Sequence, residues 1–563
     1  MIYKYLVGDF VSKFKWEIIT YLLIVLVFFP IESILIPKVY GILFEQIKSF
    51  SKLTNFFNFK DNIKNMNFPG AITILILLWF LVICSYSAKQ VIESILVPNY
   101  FSYSRQIIYD KTMNTYQNEY KDMKTGDYLA RVLELTRNFK DIFQYILSRF
   151  LPELIVSILI TGYMLYQNTI LGVILFTCVV LCVIIHYYGG KYIVDLVTDR
   201  ETYFNTVLSE NIRDSLDNLM NVFLNNELGA EVKKSNKIEE IAINKLKNIM
   251  YWQNVIVFTT QIIVAIAFMI AILYLYNMVS NNVIRTSHAI VLVIILGQFL
   301  GNFIHVNAGF SHGVIYRFGV INASYDWLNN IFKHTRKREK KEGIEHGEIT
   351  FEHVKFRYDT NKDEWLFKDL NLKFEAQKRY AIVGRSGSGK TTIMKMLAGL
   401  HLPEEGSLYI DDLNIKDADL EYLRENVNYI NQRTNMFNES VVYNMLYGNE
   451  HVSEEELIQK LKKYDLLKVF DDLPDGVQAN AGVQGGNLSG GMQRITILVR
   501  GLLKSSKIVV IDEPLSGVDQ KTVANVSDML MEESKGKTLI IITHERSLLP
   551  KMDKVYEMSD ITK

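Results

Sequence analysis

Apolar side chains crowd six stretches of the chain before residue 310, whereas beyond it they occur in short runs broken by glycine and charge. A helix needs about 20 apolar residues to cross the hydrocarbon core of a bilayer. The stretches near 18–37, 71–95, 148–167, 169–189, 252–278 and 284–306 meet that length and predict six membrane-crossing helices. Ahead of them, MIYKYLVGDFVSKFKW mixes aromatics with lysine, the pattern of a helix lying at the membrane surface. The apolar run that follows is longer than a secretory signal needs, and no small-residue cleavage site ends it, so a cleaved leader is not expected.

Two connections are too long to be turns. Near 97–147 and 190–250, in "RQIIYDKTMNTYQNEY" and "VLSENIRDSLDNLMNVFL", apolar residues recur at helical spacing, which predicts that the membrane helices continue beyond the bilayer. Some 20 extra residues at 1.5 Å each would project roughly 30 Å. Periodicity alone fits both a lever that delivers force and a solvated hairpin. Then the pattern changes. "KHTRKREKKEGIEHG", residues 333–347, is dense in charge and lacks apolar periodicity, so a membrane domain of 1–332, a linker of 333–347 and a second domain of 348–563 are expected. In the second domain "RYAIVG", "KIVVID" and "TLIIIT" alternate with helical patterns, which predicts an α/β fold with a largely parallel sheet.

Composition agrees with a membrane portion, at 49% hydrophobic residues and a mean hydropathy of +0.10 over 563 residues. Charge balances at 61 basic against 61 acidic residues, so nothing in it argues for a nucleic-acid partner. Cys84, Cys178 and Cys182 all lie in apolar runs, at spacings that suit neither a disulfide framework nor a metal site. Arg105, Lys111, Lys121, Lys124, Arg131, Lys191, Arg200, Arg213, Lys233 and Lys234 fall in the two long connections, against Arg285 alone in the connections after the third and fifth runs. The positive-inside rule therefore puts the N-terminus, both long connections and the C-terminal domain in the cytoplasm. The first external loop, 38–70, runs against the rule with five lysines.

The chemistry is concentrated in the second domain. "GRSGSGKT", 384–391, follows the strand "YAIV" and opens the helix "TIMKMLAGL", which is the context of a phosphate-cradling loop. Its glycines let backbone amides turn onto phosphates, Lys390 brings positive charge to the outer phosphates, and the Thr391 hydroxyl suits Mg²⁺. "KIVVIDEP" is an apolar strand ending in Asp512, placed to hold the metal, and Glu513, placed to polarise the attacking water. Gln432 and His544 close two more strands, where ligands of open α/β sheets collect, and suit sensing of the γ-phosphate and its water. Gln432 joins Thr391 and Asp512 as a candidate magnesium ligand. Tyr358, in "VKFRYD", is placed either to stack on an adenine or to pack in the core.

With "NLSGGMQR" at 487–494 lying between Gln432 and the carboxylate pair, the order of elements resembles the ATP-binding cassette family, and the whole chain looks like an exporter-type half-transporter. The resemblance implies a polytopic helical membrane domain of the type IV exporter kind followed by an α/β P-loop NTPase cassette. It matches Tyr358 to the aromatic loop and Gly384, Arg385, Ser386, Gly387, Ser388, Gly389, Lys390, Thr391 and Thr392 to the Walker A loop. Gln432 matches the Q-loop, and Ser489, Gly490 and Gly491 the signature. Asp512 and Glu513 match the Walker B pair, Ser516–Asp519 the D-loop, and His544 the switch histidine. "TGDYLARV", 125–132, resembles the segment after the first coupling helix. What the family implies is ATP and Mg²⁺ as cofactors and export driven by a dimer, either a homodimer or a pair with a related half-transporter. In such a dimer each signature covers the γ-phosphate held by the opposite Walker A loop. An exposed-amide, positive helix end at Ser489 suits that anion-covering role.

This sequence departs from the family at Met492, where glutamine is usual, at Val483, where an acidic residue is usual, and in a short segment after His544. These departures bear on coupling or regulation rather than on hydrolysis. No peptidase is expected ahead of the first membrane run. Substrate is not legible: Glu32, Lys89, Gln90, Glu93, Glu153, Gln298, Asn302 and His305 are polar residues in or beside membrane runs, where such groups often line a pathway. An ATP-gated channel, a lipid translocase or a non-transporting ATPase would use the same cassette.

Overall fold

The computed structural model describes residues 4–47, 68–118, 125–332, 339–358, 364–432 and 435–561. The expected lysines of the first external loop beyond Lys38, the basic residues Lys121 and Lys124, and the first part of the charged linker lie outside the described residues. The chain divides into two compact units, and residues 113–118 group with the second.

The first unit holds six helical spans: α1 (Lys15–Gln46), α2 (Pro69–Gln117), α3 (Tyr128–Gln167), α4 (Thr169–Asp217), α5 (Leu228–Ser280) and α6 (Thr286–Ala323). Five of the six expected apolar runs lie within them, and the sixth, 284–306, begins two residues before α6. In each span the most apolar window is between 22% and 33% buried, so most of its apolar surface points outward. Water would penalise such a surface and lipid does not. The protein is thus an integral, multi-pass membrane protein. Its inner faces close on Tyr21, Ile160, Met164, Ala271, Ile295 and Leu296, all fully buried.

Length sets the unit apart from a simple bundle. At 53 residues α5 is about 80 Å long, far beyond the ~30 Å of a hydrocarbon core. The helical periodicity in the long connections is therefore continuation of the membrane helices. Where the chain must reverse, asparagine does it: the Asn168 side chain accepts from the amides of Ile170 and Leu171 and caps α4, and Asn226 takes a left-handed φ of 58° before α5. The turn before α5 leaves Leu216, Met220, Phe223 and Leu224 exposed. Close helix contact needs a missing side chain at Gly319, where a Cβ would come within 2.4 Å of Val197 on α4.

The N-terminal segment is more than a surface helix. Leu6 and Phe10 are buried, and the Phe10 ring lies 5.0 Å from Tyr100 and 5.6 Å from Phe143, so one face docks on α2 and α3 while Val7, Val11 and Trp16 stay exposed. Tyrosine and lysine near a chain start suit either environment; only a packing partner decides between them.

The second unit has two sheets. An antiparallel sheet of order β2-β1-β4-β5 is built from β1 (Ile349–Phe356), β2 (Phe367–Phe374), β4 (Glu405–Ile410) and β5 (Leu413–Asn414). A parallel sheet of order β6-β7-β8-β3-β9 is built from β6 (Val427–Ile430), β7 (Ile508–Asp512), β8 (Thr538–Ile542), β3 (Arg379–Val383) and β9 (Lys554–Glu557). The parallel sheet was expected; the antiparallel one is added by the structure. Strands β7 and β8 are buried at every position, as apolar runs covered on both faces should be. Because neighbouring strands run the same way, the carboxyl ends of β6, β7, β8 and β3 share one edge. That is where open α/β sheets bind ligands.

Phe10→Ala removes a fully buried ring and should lower stability by about 3–5 kcal/mol. A thermal melt of the detergent-solubilised full chain checks it, since a helix resting on lipid would tolerate the change.

Candidate active site

The loop after β3 has the backbone that its glycines permit. Gly387 and Gly389 sit at φ of 79° and 98°, and a Cβ on Gly389 would come within 2.6 Å of the Phe367 ring. Gly389 precedes helix α7 (Lys390–Leu397), so the loop delivers its amides to a helix N-terminus. Lys390 is buried, and its ammonium donates to the carbonyls of Gly384 (2.8 Å) and Arg385 (2.9 Å). Ser388 Oγ is buried without a hydrogen-bond partner.

The loop meets β7 through one contact: Thr391 Oγ1 donates to Asp512 Oδ2 at 2.9 Å. Asp512 ends the strand and is buried. Glu513 leaves it in a left-handed conformation, φ 51°, which is strained for a residue with a side chain, and its amide donates to the Ile542 carbonyl at 2.8 Å. That turn separates the two carboxylates. Glu513 Oε1 then lies 3.5 Å from His544 Nε2, and Oε2 accepts from the His544 amide at 3.4 Å. Burial pushes the Glu513 carboxyl up from its ordinary value, against the downward pull of His544.

These groups surround one cavity of about 520 Å³. It is lined by Tyr358, by Ser386, Gly387, Gly389, Lys390, Thr391 and Thr392 of the loop and its helix, and by Gln432, Asp512, Glu513 and His544. Its size fits a nucleotide-sized ligand. Tyr358 stands at the rim with its hydroxyl 2.7 Å from Thr392 Oγ1 and its ring edge-on to Phe356, half exposed rather than in the core. Gly384, Arg385 and Ser388 are loop residues that do not line the cavity.

Ser489, Gly490 and Gly491 do not line it either. Ser489 caps helix α11 (Gly490–Leu503), counting α8 (Leu420–Asn426), α9 (Val441–Leu446) and α10 (Glu454–Lys463) before it, and accepts from the Met492 amide at 3.3 Å. A Cβ on Gly491 would sit 3.1 Å from the Gly517 carbonyl, so the signature glycine lets the D-loop approach. Met492 is buried in the core, which accounts for an apolar residue there, whereas Val483 is exposed.

Sequence reasoning missed Arg494. It is buried, and its guanidinium donates to the carbonyls of Asn431 (2.8 Å), Asp512 (2.6 Å) and Pro514 (3.2 Å), so one side chain ties α11 to the strand ends that carry Gln432 and Asp512. Burial lowers its pKa to about 10, which leaves it charged at neutral pH. Its place on the inner face of α11, four residues after the first signature glycine, was the only signal.

A model of the ABC transporter transmembrane region matches residues 16–303, and a model described as ABC transporter matches residues 367–516. The chain belongs to the ABC transporter family. Among relatives, this ABC transporter is 34% identical over 222 residues to the "Sophorolipid transporter" of Starmerella bombicola, covering 38% of this chain and 17% of that protein. It is 24% identical over 453 residues to the "Serine protease/ABC transporter B family protein tagA" of Dictyostelium discoideum, covering 79% of this chain and 25% of that protein. The chain thus spans between about a sixth and a quarter of the length of these curated relatives. Its fold is similar to a solved structure, "Structure of a bacterial Atm1-family ABC exporter with ATP bound", at a TM-score of 0.80 and 18% identity, covering 97% of this chain and 94% of that one. The type IV exporter fold expected from the sequence is the fold observed.

Arg494→Ala would deprive the carbonyls of Asn431, Gln432, Asp512 and Pro514 of this donor and should destabilise the protein by about 2–4 kcal/mol. Denaturant unfolding of the full chain, followed by a signal from the cassette, measures it.

Proposed function

We propose that the chain is one half of an ATP-driven exporter in which two cassettes sandwich and hydrolyse ATP. The observation that carries this is the single cavity joining the Lys390 loop, Asp512, Glu513, His544 and Gln432, on a chain that also crosses a membrane. In this reading the domains are 1–332, the linker 333–347 and 348–563, with the N-terminus and the cassette cytoplasmic.

Lys390 and the amides around Gly387 and Gly389 hold the phosphates, and Tyr358 at the rim carries the base. The oxygens of Thr391 and Asp512, already 2.9 Å apart, with Gln432 on the same cavity, are the hard donor set that Mg²⁺ takes alongside phosphate oxygens. Bound there, the ion would offset charge on the outer phosphates. Glu513 accepts the proton of the attacking water, and His544, within reach of its carboxylate, holds it in place.

Pairing is supported from two directions. The Ser489 helix end is an anion site outside its own chain's cavity, as a site serving another subunit would be. The apolar tip of Leu216, Met220, Phe223 and Leu224 is exposed in water at the end of long helices, which a partner copy would cover. The second subunit is a copy of this chain or a related half-transporter. Removal of the γ-phosphate takes away the charge that bridges the cassettes, and their separation drives the membrane helices.

Reconstituted in proteoliposomes, Glu513→Gln should bind ATP, dimerise and lose turnover, while Ser489→Arg should bind ATP and fail to dimerise; normal turnover by either, or full turnover by a strict monomer, contradicts the sandwich. Ion current in place of vectorial uptake would favour a channel.

The raised Glu513 pKa gives a second test. A base works only as carboxylate, so kcat/KM should fall with acid, and the midpoint of that fall, which reports the free protein, should lie above the ordinary glutamate range. A pH profile of turnover at ATP well below KM reads it.

A further inference from the structure

Five of the polar residues that the membrane runs carry come together. Glu32 on α1, Lys89 on α2, Glu153 on α3, and Gln298 and Asn302 on α6 line an enclosed cavity of about 140 Å³ within the membrane unit. Gln90 and His305 are exposed and do not line it.

The bonding inside this cavity is unbalanced. Lys89 is buried, but its ammonium is already engaged: it lies 2.9 Å from Glu93 Oε1 and donates to the Ser148 carbonyl at 2.8 Å. Glu32 Oε2 accepts from the Tyr86 hydroxyl at 2.9 Å, and Gln298 spends its amide donor on the Glu32 carbonyl at 3.2 Å. That leaves Glu153 Oε2 and Gln298 Oε1, both enclosed and both without a hydrogen-bond partner. A buried acceptor left unpaired costs on the order of 1–3 kcal/mol, more when it belongs to a charged group. Two acceptors therefore point to a missing donor, and because the three carboxylates of Glu32, Glu93 and Glu153 outnumber the two cations near Glu153, Lys89 and Arg149, a positive donor is favoured. The rings of Phe29 and Tyr86, 5.0 Å apart, complete the wall; the Lys89 ammonium lies 5.9 Å from the Phe29 centroid, which leaves the Tyr86 ring as the further aromatic face that attracts cations.

We propose that this cavity is a subsite for the protonated amine head of the transported substrate. An anion would meet two carboxylates, and an apolar group would leave both acceptors unpaired. The volume limits what enters: about 140 Å³ is the room of some five waters, well below the 300 Å³ or more of a site that swallows a drug-sized molecule. The head is bound here, and the rest of the molecule lies elsewhere. The assignment rests on the export reading above, with which it shares the membrane unit but no residue of the cassette.

The test uses the full-length Glu513→Gln protein in nanodiscs, so that binding is read without turnover. Radiolabelled n-octylammonium should bind saturably. Glu153→Gln, and independently Glu32→Gln on a different helix, should each raise its Kd about tenfold or more. Octanol and octanoate should not displace it, nor should sodium at equal concentration. An unchanged Kd in both variants, displacement by octanol, or displacement by sodium would overturn the amine assignment. Failure of the export reading looks different: octylammonium binding would persist, and the wild-type protein would neither hydrolyse ATP faster in its presence nor move it across the membrane.

Discussion

The parallel alignment of β3, β7 and β8 is the constraint on which the cassette depends. Ile382 of β3 pairs with Ile542 of β8, and Ile542 lies opposite Asp512 of β7, so three chain segments far apart in sequence end at one level. Each strand then hands over to a different chemical group: the glycine loop, the carboxylate pair and His544. No side chain has to reach far, because the ladder has already placed the backbones. The strained turn at Glu513 is a consequence, since a continued strand would point Glu513 away from His544.

Arg494 extends that alignment to the signature helix. Its bonds run from α11, whose first turn Ser489 caps, to the carbonyls of Asn431 and Gln432 just beyond β6, of Asp512 at the end of β7 and of Pro514 beyond it. Arg494 is charged and buried, so losing these partners would be costly, and the contact holds α11 against the ends of β6 and β7.

In the membrane unit the ordering principle is different. Lipid removes the penalty on exposed apolar surface, so what needs explaining there is the polar interior. Lys89 bonds Glu93 and the Ser148 carbonyl, Glu32 joins Tyr86 to Gln298 across helices, and Glu153 lines the same cavity with one carboxylate oxygen unpaired. Two other helices, α4 and α5, run well past the length of a hydrocarbon core and meet at an exposed apolar tip, so there it is the apolar surface that needs explaining.

The six membrane runs, the phosphate loop, the carboxylate pair and the strand-ending Gln432 and His544 were legible because each is a local pattern: 20 apolar residues, glycines around a lysine, an apolar strand closed by charge. The antiparallel sheet was not, since β1 and β4 pair across about 50 residues and neither run announces its partner. The docking of Phe10 and the burial of Arg494 were not legible for the same reason, as aromatic and basic side chains read alike on a surface and in a packed interior. Nor did the eight polar residues of the membrane runs reveal which five share a cavity. Sequence by itself determined which elements form and which chemistry the chain carries, because backbone preference and solvent choice act over a few residues. Only the tertiary structure decided which of those groups meet, because contact between distant segments depends on strand register and helix packing that no single stretch encodes.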